Sequence, residues 1–344
     1  MVISVCYTFF VSETSGGFMK RLYFCLIALL LCLLTLTSCA KNKSHITIPE
    51  GTKTIEAFAY QEYKFESVTI PGSVQSIEEY AFSFCNNLTS VSIPSSVKSI
   101  GDYAFCGCEG LTEVTIEEGV ETIGRGAFQG CKISSFIIPT SVKDIGGYAF
   151  SSCENLTSIR IPSSVESIKD GTFLNCFKLK DVVIEDGIEC IEADAFYNCD
   201  NLEEITIPSS VKEIGRRAFA DCDRLSSIII GDGVERINGY AFAGCRNLKE
   251  LKLPLSIKEI NLEFHYVGSI SDYIVFFYPG TINDWCNGIL FIDVDGNKTT
   301  WNEAKNNTTF PYNHCTVMCS DGEIEIKEEY NSGLPLSICH ETYY

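Results

Sequence analysis

Positive charge is in short supply in this chain: 26 Lys+Arg stand against 45 Asp+Glu, for a formal net charge of −19. So acidic a surface repels phosphate backbones and anionic headgroups, which excludes nucleic acid as an expected partner. Histidine is scarce as well, with only 4 in 344 residues, at His45, His265, His314 and His340. All four fall outside the regular repeats described below, so the repeats lack the side chain most often used for proton transfer at neutral pH. The familiar catalytic signatures are missing too: there is no G-x-S-x-G elbow, no H-E-x-x-H helix and no G-x-x-x-x-G-K-[ST] loop. No catalytic residue, cofactor or resident metal is expected, and the chain reads as a non-enzyme.

No apolar run is long enough to span a bilayer. The longest, Leu22 to Leu36, is roughly 15 residues against the ~20 that hydrocarbon thickness requires, and no stop-transfer charges follow it. Lys20 and Arg21 precede this run and Thr37-Ser38-Cys39 ends it, the layout of a signal peptide. Leu36-Thr37-Ser38-Cys39 resembles the bacterial lipobox, which implies cleavage before Cys39 and a lipid anchor on it. The expected organisation is an upstream extension over residues 1–18 with Met19 as the true start, a lipoprotein signal peptide over 19–38, and a polar tether over 39–45.

What the chain has in abundance is self-similarity. One unit reads Leu88-x-x-Val91-x-Ile93-Pro94-x-x-Val97-x-x-Ile100-Gly101-x-x-Ala104-Phe105-x-x-Cys108. The Ile93 column recurs at Ile48, Ile70, Ile116, Ile138, Ile161, Ile184, Ile207, Ile230 and Leu253. In step with it run the phenylalanines Phe82, Phe105, Phe128, Phe150, Phe173, Phe196, Phe219 and Phe242, and the cysteines Cys85, Cys108, Cys131, Cys153, Cys176, Cys199, Cys222 and Cys245. A period of 20–50 residues is the mark of a solenoid. Val91-x-Ile93 alternates and stops at a proline, which reads as one short strand per unit. Asp102–Phe105 reads as a single helical or 3₁₀ turn. No unit can fold alone, because its few inward side chains cannot offset the ordering entropy of the whole unit; stacking makes those burials real.

These residues resemble the BspA-like class of leucine-rich repeats, over roughly Ile46 to Ile260. The expected fold is a mainly β repeat solenoid, a curved array of about ten 22–23-residue units with one parallel strand each over residues 46–260, followed by a C-terminal β-rich cap over 261–344. The sequence departs from the common leucine-rich repeat in having no asparagine after the strand. Glu117, Glu185 and Gly231 replace the family proline in three units. In the cap, Tyr278-Pro279-Gly280-Thr281-Ile282-Asn283-Asp284-Trp285 resembles a segment that closes such arrays, and Cys315–Cys319, Ser320-Asp321-Gly322 and Glu323–Ile326 read as a β-hairpin. Glu328 to Tyr344 carries no clear period.

The registered cysteines and phenylalanines are expected to form a structural ladder facing inward, with cysteine acting as a small hydrophobe. Export would make Cys106, Cys190, Cys286, Cys315, Cys319 and Cys339 the better disulfide candidates, with no pairing assignable. Cys315, Cys319, His314, Cys339 and His340 supply zinc-type ligands, but a hairpin accounts for them without a metal. Outward positions form the candidate binding face: Ser92, Thr115, Ile137, Arg160, Val183, Thr206, Ile229 and Lys252, flanked by a polar row that includes Glu113, Asp181, Glu204 and Glu250. The resemblance implies an adhesin or protein-recognition role, with a protein ligand such as a host extracellular-matrix protein or another envelope protein. The expected location is the bacterial envelope, lipid-anchored, surface-exposed on the outer membrane in preference to facing the periplasm. A periplasmic scaffold with no host ligand is the alternative reading, and a metal-binding or enzymatic C-terminal module a minor one.

Overall fold

The computed structural model describes residues 44–261, 274–292, 298–300, 315–331 and 334–343. The signal-peptide segment, Cys39, His265 and His314 lie outside the described residues. Ser44–Tyr344 forms one compact unit.

Each turn of the solenoid has three sides, and each side makes its own bonds to the next coil. On the first, a three- or four-residue strand such as Ser90–Ile93 pairs in parallel with Glu113–Ile116, matching Val91 to Val114, Ser92 to Thr115 and Ile93 to Ile116. The same register joins Ser158–Ile161 to Asp181–Ile184 and Glu204–Ile207 to Ser227–Ile230. Like residues therefore stack on like, and the period-two alternation buries Val91 and Ile93 while Ser92 faces solvent. Pro94 has no N–H, so the strand ladder stops there. Where glutamate stands instead, the ladder gains a rung, Glu117 N–H to the Ile93 carbonyl at 3.0 Å, and the carboxylate reaches back to the Ser95 N–H at 2.9 Å. Glu185 repeats both contacts on Ile161 and Ser163. A column of serines binds the neighbouring turns: Ser141, Ser164, Ser210 and Ser256 each donate a hydroxyl to a carbonyl of the preceding coil at 2.6–2.7 Å.

The second side is a two-residue strand per coil, Ser99–Ile100 and its equivalents, again parallel and in register. The third side departs from expectation. Asp102–Phe105 is neither helical nor 3₁₀. Tyr103, Phe105 and Gly107 donate their N–H groups to Arg125, Ala127 and Gln129 of the next coil at 2.7–2.8 Å. The intervening Ala104, Cys106 and Cys108 close short turns onto Gly101, Tyr103 and Phe105 at 3.0–3.3 Å. Tyr103 has φ +55°, in the left-handed region that breaks a helix. A helix would keep its amides to itself and leave the next coil's carbonyls unbonded against an apolar interior; consecutive turns divide the amides between the two needs.

Inside, the phenylalanine rings from Phe82 to Phe242 stack near-parallel with centroids 5.1–5.7 Å apart. Tyr60 takes the phenylalanine place in the first coil, stacked on Phe82 at 5.2 Å. All eight ladder cysteines are fully buried.

The parallel ladder runs past Ile260, where the sequence period fades. Ile274–Phe277 pairs in parallel with Glu250–Lys252, and Leu290–Ile292 with Glu259–Asn261, so residues 274–292 add a further coil. Between them lies a helix, Ile282–Gly288, opened by a reciprocal box in which Thr281 and Asp284 bond each other's backbone N–H at 2.9 and 3.1 Å. Cys315–Cys319 adds in parallel to Ile274–Phe277 and then turns antiparallel into Gly322–Asn331, with Cys319 opposite Gly322. That hairpin has a two-residue loop, Ser320-Asp321, and its second strand pairs with Leu334–Tyr343, the tail whose sequence carries no period. Asp321 accepts the Ile282 N–H at 2.7 Å, tying the hairpin to the helix start. Among the described residues no helix is long and apolar enough to cross a membrane.

Candidate binding surfaces

The row Ser92, Thr115, Ile137, Arg160, Val183, Thr206, Ile229 and Lys252 is exposed throughout, one residue per coil. Three branched aliphatic side chains stand in it at every second coil: Ile137 is 83% exposed, Val183 46% and Ile229 60%. Glu113, Asp181, Glu204 and Glu250, two positions earlier on their strands, are exposed beside it. Register fixes this pattern, since a one-residue slip would turn the apolar interior outward.

The two cations of the row differ. Arg160 is tied to Glu185 at 2.7 Å, and the Ser163 amide together with this guanidinium holds the Glu185 carboxyl below the ordinary range. Lys252 makes no ion pair among the described residues. Its charge is available to a partner, whereas that of Arg160 is half spent on its own fold.

A second, partly exposed row runs along the turn side, and the sequence reading missed it. Phe58, Tyr80 and Tyr103 stack at 5.1 and 5.0 Å. Gly126 follows in the same column with φ +57°, and a Cβ there would stand 2.4 Å from the Tyr103 ring, so only glycine lets the stack end on backbone. Arg125 then bridges, donating Nε–H to the Tyr103 hydroxyl at 3.3 Å and lying 4.7 Å over the Tyr148 ring. The signal was present in the recurring Tyr-Ala-Phe triplets at Tyr80, Tyr103, Tyr148 and Tyr240.

The ladder thiols do more than fill space. Cys108, Cys131, Cys153, Cys176, Cys199, Cys222 and Cys245 each donate Sγ–H to the phenylalanine carbonyl one coil back, at 3.1–3.3 Å. Burial pushes Cys153 and Cys222 up to about 12, so the thiolate needed for oxidation or metal binding is suppressed. Of the six cysteines considered for disulfides, Cys106, Cys190 and Cys319 are free thiols in this structure. Among the described residues no three His, Cys, Asp or Glu side chains gather where a metal ion could sit.

Parallel register and the inward Ile, Phe and Cys columns define a leucine-rich repeat solenoid. The model of the BspA type leucine rich repeat region matches six copies, over residues 36–157, 77–189 and 143–271, and the chain belongs to that family. Among solved structures it is similar to a leucine-rich repeat protein from Bacteroides ovatus, at 23% identity over 73% of this chain and 92% of that one, with a TM-score of 0.46. The pneumococcal vaccine antigen PcpA is similar at 23% identity over 69% and 74%, with a TM-score of 0.45. A leucine rich cell surface protein from Faecalibacterium prausnitzii is similar at 24% identity over 75% and 81%, with a TM-score of 0.44. No curated protein matches the chain.

Proposed function

We propose that this protein is an envelope-anchored, non-enzymatic binding protein that recognises a protein ligand through the outward face of its long-strand ladder. The observation that carries the reading is the exposure of Ile137, Val183 and Ile229 at the same strand position of alternate coils, the first two on one in-register parallel ladder and the third on the next. Exposed branched side chains are individually unremarkable, but three aligned at two-coil intervals, rimmed by acids, form the apolar-centre, polar-rim pattern of a recognition surface. Rigidity lowers the ordering cost of binding. Anchoring rests on Cys39 and the lipobox-like residues before it, and membrane attachment is through that lipid. Cell-surface display makes adhesion to a host extracellular-matrix protein the leading role; a scaffold for other envelope proteins is its competitor.

The test is capture of ligand from matrix extracts by immobilised protein, repeated with Ile229→Asp. Capture that Ile229→Asp abolishes supports the face, and undiminished capture removes it. Proteinase treatment of intact cells separates the two locations: digestion without lysis fits display at the surface, and full protection fits the scaffold.

A further inference from the structure

The first coils carry an exposed ring that packing does not require. Phe84 is 46% exposed although its φ is +57°, a costly conformation for a bulky side chain. One part of the ring is covered by Gly107 of the next coil, where a Cβ would stand 2.5 Å from Phe84 Cδ1. One coil back the equivalent residue is Glu62, and no second ring stacks on Phe84 among the described residues, unlike the Phe58–Tyr80–Tyr103 run. The uncovered part of Phe84 lines an open depression of about 700 Å³ together with Glu62, Lys64, Asn86 and Asn87.

None of those four polar side chains has a hydrogen-bond or ion-pair partner among the described residues. Later coils behave differently at the positions that follow the ladder cysteine. Lys132 pairs with Glu154 at 2.6 Å, Lys178 donates to Asn155 at 2.8 Å, and Arg246 pairs with Asp223 at 3.4 Å. There the surface column satisfies itself from coil to coil. Around Phe84 it leaves donors and acceptors of both kinds beside an aromatic face. The Asn86 N–H donates to the Phe84 carbonyl at 2.9 Å, which holds the amide turn next to the ring.

We propose that this depression is a carbohydrate subsite for a neutral hexopyranose, whose C–H face lies on Phe84 while Asn86, Asn87, Glu62 and Lys64 bond its hydroxyls. The negative face of an aromatic ring attracts polarised C–H groups. Sugar hydroxyls donate and accept at once, and amides flanked by a carboxylate and an ammonium meet both needs. The charges of Glu62 and Lys64 cancel locally, and the net charge of −19 opposes sialylated or sulfated sugars. This site is separate from the strand face and stands or falls independently of it.

Maltotriose, cellotriose, lactose and chitotriose are titrated into the purified protein, with sialyllactose as the anionic comparator, by saturation-transfer NMR and calorimetry. Saturable binding of at least one neutral sugar is expected, weakened by roughly tenfold or more in Phe84→Ala. The Asn86→Ala/Asn87→Ala double variant weakens it too, while Phe58→Ala leaves it unchanged. The surface variants are expected to melt with the wild type, and the asparagine pair carries the test if Phe84→Ala does not. Absence of saturation by every neutral sugar, wild-type affinity in both variants, or preference for sialyllactose overturns the proposal.

Discussion

Cys131 donates its thiol to the carbonyl of Phe105, 3.2 Å away in the coil before. That carbonyl already accepts the Cys108 N–H at 3.3 Å, so one oxygen is bonded both within its turn and across to the next. Repeated down the column, the contact explains why cysteine recurs where alanine or valine would also be apolar and small. Cys131→Ala should lower stability by ~1–3 kcal/mol, from the lost bond and the void together. Chemical denaturation measures it; a change within ~0.5 kcal/mol would mean the thiol bond contributes nothing net.

The same burial sets a pH limit. Cys153 and Cys222 rise from 9.0 to about 12, so the fold accepts only the neutral thiol. Their contribution is fully present below the unfolded-state value near 9, and is lost as pH climbs from there towards 12. Each such thiol adds a slope of ~1.4 kcal/mol per pH unit in that window. Denaturation profiles between pH 8 and 11 should fall steeply, and Cys153→Ala/Cys222→Ala should flatten the fall while lowering stability at pH 7. An identical slope in both proteins would exclude these thiols as the cause.

Phe150 lies between Phe128 and Phe173 at 5.7 and 5.6 Å and touches Phe136 edge-on at 4.7 Å. Phe150→Ala should cost ~3–5 kcal/mol, and because coils are stabilised only by their neighbours, the loss should split the array into separately melting halves. Hydrogen exchange would show faster exchange on both sides of the gap. Loss of protection confined to the one coil would argue against nearest-neighbour coupling.

Gly126→Ala should be costly, since Gly126 is buried against the last ring of the stack. The new methyl would press on the Tyr103 ring in a left-handed backbone, a penalty of ~1–3 kcal/mol. Tyr103→Ala in the same chain should recover part of it, and a double-mutant cycle measures the recovery. Strict additivity would place the whole cost in the backbone.

On the strand face, Lys252→Glu should weaken ligand capture more than Arg160→Glu, because Glu185 already engages Arg160. Surface plasmon resonance at low and at physiological salt would compare them. The opposite ranking would mean that the ion pair opens on binding.

How far the residues alone carried the reading differs from side to side of the coil. The strand side was legible because Val91, Ser92 and Ile93 obey a period of two, and pairing in register turns one outward Ser92 into an exposed row. The turn side was not. Tyr103-Ala104-Phe105 has the composition of a helical turn, and local propensity says nothing about the carbonyls of Arg125 and Ala127 waiting one coil away. The closing coil was half legible: Thr281-x-x-Asp284 is a helix-start signal. That Ile274–Phe277 continues the ladder depends on contacts with Glu250–Lys252 across a stretch with no repeat.

The 22–23-residue period, by itself, determined that this chain is a solenoid with isoleucine, phenylalanine and cysteine columns inside, because only stacked coils bury what one coil cannot. Tertiary structure alone decided which amides bond along the array, that the thiols are donors, that Arg160 is paired while Lys252 makes no ion pair among the described residues, and that Phe84 is half exposed beside four polar side chains with no partner among the described residues. Those are relations between neighbouring coils, made by residues 22 or more apart in sequence, and they are not written in the local pattern.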